Sequence, residues 1–114
     1  MKFKNIIFKN GVEAVEESVW VKDILIEDEK EDFYPLEFIT IDEVRKYVKR
    51  NSFILSVPYR LIVNNISLEF IFETIQKLEN EDFFQYHQPL CKPTEEEKKR
   101  WSVIKNRDWS KENR

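Results

Sequence analysis

Three groups of side chains in this 114-residue sequence are of types that do chemistry or bind charge. The first is His87 and Cys91, in the stretch HQPLC, with Asp82 shortly before them. A thiol beside an imidazole base, with a carboxylate to orient the base, is the minimum for a cysteine nucleophile. All three fall in a segment whose composition suggests an extended or irregular path, where nothing forces them into mutual hydrogen bonds. As metal ligands, His87 and Cys91 supply half of the four that a closed zinc site takes. The sequence has one glycine, Gly11. Phosphate-cradling loops of the P-loop or dinucleotide type need several at fixed spacing, so neither can be written. The expectation is a non-catalytic protein with no cofactor and no metal, in which Cys91 and His87 are structural.

The second group is the acidic run Glu27–Asp32, five carboxylates interrupted by Lys30. It lacks the spaced Asp/Asn ligands and the turn glycine of a calcium loop. It reads as a solvated loop or hairpin tip, and Asp28, Glu29, Glu31 and Asp32 are candidates for contact with a basic partner surface. Residues 1–91 hold 11 Lys/Arg against 17 Asp/Glu, a net −6, and residues 92–114 hold 8 against 5, a net +3. That asymmetry divides the sequence into an acidic domain, 1–91, and a basic tail, 92–114. A charge of −6 is modest for imitation of DNA, so a local acidic patch is the better use of these carboxylates.

The third group is the tail, KPTEEEKKRWSVIKNRDWSKENR. Thr94 with Glu97 makes a capping box, and Glu95 and Glu96 suit the positive end of a helix dipole, so the pattern predicts a C-terminal helix from near Glu95. On such a helix Trp101, Ile104 and Trp109 would span an arc of about 140°. Trp and Arg are enriched where proteins bind proteins, which makes Arg100, Trp101, Lys105, Arg107 and Trp109 candidate partner residues. The alternative is a nucleic-acid arm: the two tryptophans stack on bases while Lys98, Lys99, Arg100, Lys105 and Arg107 track phosphates, against the repulsion of Glu95 to Glu97.

The elements that would position these groups are readable in part. Asn10-Gly11 predicts a tight type I′ hairpin that sets Ile7 opposite Ala14 and Ile6 opposite Val15. The next apolar run, SVWVKDILI, predicts a strand leading into the acidic tip. Thr40 with Glu43 predicts a helix over about 42–50 with Ile41, Val44, Tyr47 and Val48 on one face. Its outer face carries Arg45, Lys46, Lys49 and Arg50, but no second helix follows at helix-turn-helix distance. Leu61, Ile62 and Val63 read as a buried strand after Pro58. Ser67 caps a helix through Leu68, Ile71, Phe72, Ile75 and Leu78.

The fold class expected is α+β: a mostly antiparallel sheet with an N-terminal hairpin, two to three helices packed on one face, and a C-terminal helix. One cysteine excludes an internal disulfide and suits a reducing compartment, no signal peptide is evident, and no segment has the length of a membrane span, so a cytoplasmic location is expected. The abundance of Ile, Lys, Asn, Phe and Glu is what AT-rich genes encode. Together these features point to a small protein-binding regulator or inhibitor, of a kind that a phage or mobile element could direct at a host nuclease or defence protein. A nucleic-acid-binding accessory protein is the alternative.

Overall fold

Along the first strand the apolar residues do not alternate with polar ones; they run together as Ile6-Ile7-Phe8, and all three are buried. Such a run suits a strand covered on both faces. The computed structural model describes residues 2–13, 15–85, 87–90 and 92–105, and over these it is an α+β fold built on one five-stranded mixed sheet. The strands are β1 (Phe3–Phe8), β2 (Trp20–Asp28), β3 (Phe33–Thr40), β4 (Arg60–Val63) and β5 (Ser102–Lys105). Their order across the sheet is β4-β3-β2-β1-β5. β3 and β4 run parallel, joined through helix α1 (Ile41–Asn51), and the other neighbours are antiparallel.

One face of the sheet presents Ile6, Phe8, Ile24, Ile26, Leu36 and Phe38 to Ile71, Phe72, Ile75 and Leu78 of helix α2 (Leu68–Asn80). The other face presents Ile7, Leu25 and Phe33, packed by Trp101. The caps expected at Thr40 and Ser67 are made: the Thr40 hydroxyl accepts from the Glu43 amide at 3.2 Å, and that of Ser67 from the Phe70 amide at 3.1 Å.

The N-terminal hairpin exists, but with a different partner from the one the Asn-Gly dipeptide suggests. Gly11 has φ +86° and its amide donates to the Phe8 carbonyl. The chain then makes a 3-10 turn at Val15–Glu17 before β2 begins. Ile6 pairs with Ile26 and Ile7 with Leu25. This register sets an apolar run against an apolar run on both faces, which VEAV could not do, and leaves Val15 free to fill the α2 side of the core.

The helices are not gathered on one face. Tyr47 of α1 meets the Trp20 ring edge-on at 5.5 Å, and Trp20 pairs with Ile39, whereas Phe70 of α2 meets Phe38. Neighbouring residues Phe38 and Ile39 point to opposite faces, so α1 and α2 lie on opposite sides of the sheet.

The expected C-terminal helix is replaced over its described part. The Thr94 box does form, with the Glu97 amide donating to the Thr94 hydroxyl at 3.2 Å, but it opens only a 3-10 turn, Glu97–Arg100. Ser102–Lys105 then extends along β1, Val103 opposite Ile7 and Ile104 opposite Ile6. A helix would turn Trp101 and Ile104 to one side. The extended chain sends Trp101 to the second face and Ile104 to the α2 side, and satisfies the open edge of β1 as well.

Candidate interaction surface

β4 is held at the sheet edge by one buried carboxylate. Glu37 is 6% exposed and accepts from the Arg60 guanidinium at 2.6 Å and from the Trp20 indole N–H at 3.1 Å. A second guanidinium nitrogen of Arg60 donates to the Leu55 carbonyl. The ammonium of Lys22 lies 3.9 Å from the centre of the Trp20 ring, and Arg60 stacks over the same ring. A buried ion pair with these extra hydrogen bonds is satisfied rather than reactive, so its part here is to fix Arg60, Leu55 and the start of β4 in place.

What it fixes is apolar and open. Phe53 is 60% exposed, Leu55 68% and Ile62 58%. Arg60 and Ile62, two apart on a strand, project to the same face as Glu37 and Ile39, their register partners. Val48 of α1 is also exposed, and Ile41, Ile62, Val63 and Phe70 line a groove that turns round the end of β4 together with Asn64 and Asn65. Ile62 was expected to be buried. As a four-residue edge strand, β4 buries its Leu61 and Val63 side against α2's core and leaves the Ile62 side uncovered. The signal that could have shown this is SFILSVPYRLIV itself: a run so rich in large apolar residues, broken by Pro58, is longer than an edge strand can bury.

The residues proposed from sequence lie elsewhere. The acidic run is the tip of the β2–β3 hairpin, as expected, but Asp28 is 4% exposed and occupied, its carboxylate accepting from the amides of Lys30 at 3.0 Å and Asp32 at 2.9 Å. It shapes the turn, in which Glu31 has φ +64°, and is not available to a partner. Glu29 and Glu31 are exposed, Glu31 within 3.6 Å of Lys4, and Asp32 is half-buried. The tip, Lys2, Tyr34, Asp82 and Gln85 border a shallow acidic groove. Burial, and then the charges of Asp28 and Asp32, push the Tyr34 hydroxyl above its ordinary range.

Trp101 is half-buried with its ring 5.9 Å from that of Phe33. Lys105 is exposed on β5 opposite Asn5, whose amide donates to Glu27 at 2.7 Å, so the end of β5 and the acidic tip share one end of the sheet. Arg100 ends the 3-10 turn, and its side chain lies outside the described residues, as do Arg107, Trp109 and Cys91. His87 lies tilted against the Phe83 ring at 4.9 Å and meets Phe84 edge-on at 5.3 Å. Among the described residues no three His, Cys, Asp or Glu converge to hold a metal ion, and no helix is long and apolar enough to cross a membrane. Compared with family models, curated proteins and solved structures, the chain matches none.

Proposed function

We propose that this is a small binding protein, a regulator or inhibitor without chemistry of its own, that engages another protein through the β4 edge. The observation that carries the reading is the exposure of Phe53, Leu55 and Ile62 around a strand pinned in place by Glu37. Large apolar side chains held out together on a rigid frame mark an interaction site more often than a solvated surface. Arg60 and Trp20, held by Glu37 on the same face of the sheet as Ile62, are of the types that anchor interfaces. The competing use of the tail as a nucleic-acid arm loses one of its stacking platforms, because Trp101 packs on Phe33.

The test compares proteins captured by the full chain with those captured by a Leu55→Asp, Ile62→Asp double variant, by quantitative mass spectrometry. At least one partner present in stoichiometric amount should fall tenfold or more. Identical captured sets, or an empty one, would remove the β4 edge from any interface.

A further inference from the structure

We infer that the groove between the β2–β3 tip and the turn after α2 takes a basic side chain of a peptide, with its cation among the groove's carboxylates and a neighbouring peptide carbonyl on the Tyr34 hydroxyl. The groove lies at the end of β3 away from β4, which pairs with Glu37 to Thr40, so it is a second site and independent of the first.

Tyr34 carries the inference. It is 6% exposed, sits beside Ile26 on the α2 side of the sheet, and packs its ring on Phe84 at 5.3 Å. A phenylalanine would fill that place as well, so the hydroxyl needs another reason. Among the described residues it has no hydrogen-bond partner, and it is not shut in, because it opens on the groove. Burial and the charges of Asp28 and Asp32 keep the phenol protonated, so what the groove is offered is an O–H donor. Water receives it in the free protein, and a ligand that displaces this water must bring a lone pair in its place.

The charge around the donor is of the other kind. The carboxylates of Asp28, Glu29, Asp32 and Asp82 border the groove, against the ammonium groups of Lys2 and Lys30. Both lysines are exposed, on flexible stems that turn to water at little cost. Asp28 is committed to the turn, where it holds the amides of Lys30 and Asp32 and so keeps the tip in shape. Glu29, exposed, and Asp32, half-buried, make no ion pair with a described residue and are left to meet a cation.

These two demands select the ligand. Among the described residues no three acids converge on a metal ion, and a groove of about 490 Å³ is far larger than an ion needs. A polyamine supplies charge, but its ammonium groups only donate and leave Tyr34 to water. A lysine or arginine in a peptide brings a cation on its side chain and an accepting carbonyl a few bonds away.

The experiment titrates the ¹⁵N-labelled full-length protein with a glycine-arginine peptide, with the same peptide carrying citrulline for arginine, and with spermidine. The arginine peptide should bind with a Kd of about 1 mM or below and shift the amides of residues 29–34 and 82–85. Citrulline, of the same shape without the charge, should bind at least tenfold more weakly, as should the arginine peptide to the Glu29→Gln, Asp32→Asn variant. Tyr34→Phe, shown to be folded by its melting curve, should weaken the arginine peptide by about threefold to tenfold, the worth of one hydrogen bond, and leave spermidine unaffected. No shifts at the groove, or equal binding of the arginine and citrulline peptides, would overturn the proposal. So would a Tyr34→Phe protein that binds the peptide as the parent does, since the groove would then select charge alone. Loss of spermidine together with the peptide in Tyr34→Phe would show a groove distorted rather than a donor removed, and the role given to the hydroxyl would fall. None of these outcomes bears on the β4 edge.

Discussion

Glu37 is a single side chain on which three elements depend: it receives hydrogen bonds from Trp20 of β2 and Arg60 of β4, and it sits on β3 itself. Removing one member of a buried pair leaves the other charge without compensation, which costs more than the pair contributes. Glu37→Ala should therefore destabilise the fold by about 3 kcal/mol, and Glu37→Gln, which keeps an acceptor, by clearly less. Urea denaturation of the three proteins measures both values. A loss below about 1 kcal/mol for Glu37→Ala would show that Arg60 and Trp20 find water or other acceptors without disturbing β4. Asp28 makes the complementary point at the other end of the sheet. The sequence placed it in an acidic run as one carboxylate of five, but its burial and its two amide donors make it the residue that turns the hairpin, leaving Glu29 and Glu31 as the exposed carboxylates of the tip.

At the scale of elements, Trp101 decides how the second face of the sheet is closed. Leu90 bonds to the Phe33 carbonyl beside β3, and β5 lies beyond β1 at the opposite edge, so the chain between them crosses this face and lays Trp101 against Ile7, Leu25 and Phe33. Trp101→Ala should cost about 2 kcal/mol, less than a fully buried aromatic because the ring is half-exposed, and lower the melting temperature by about 8 °C. An unchanged melting temperature would mean that Phe33 is covered without it. This region also marks where the sequence stops being legible. The caps at Thr40 and Ser67 were readable because their hydrogen bonds span three residues, and the α2 face was readable because its period is local. The Thr94 box was equally readable and equally real, yet its helix yields after one turn. What overrides it is the free edge of β1, which lies about a hundred residues away and has no local signature. The β1–β2 register was lost for the same reason: Asn10-Gly11 proposes the nearest partner, and Ile24-Leu25-Ile26 supplies a better one further on. At the β4 edge, Arg45 and Lys49 were legible as a basic helix face, while Ile62 reads as part of a buried strand because edge position is decided by the order of strands.

For the molecule as a whole, the division into an acidic body and a basic tail describes charge, and the sheet describes something else. β5 belongs to the tail by sequence, but its hydrogen bonds run to β1, Ile104 packs at the rim of the α2 core, and Trp101 packs on the other face. Separating residues 101–105 from the rest would open the β1 edge and strip cover from both faces at once. Packing shared in this way makes unfolding a single cooperative event, as small domains commonly show. In protein grown with 5-fluorotryptophan, the native resonance of Trp101, assigned by its absence from Trp101→Phe, should therefore disappear over the same range of denaturant as the far-UV circular dichroism signal. Trp20, at the Glu37 cluster near the far edge, should follow the same curve. A Trp101 transition at distinctly lower denaturant, with the circular dichroism change still to come, would show a tail that detaches from an intact body. β5 would then be a removable strand at the β1 edge, and the two sheet edges would be open to partners in turn.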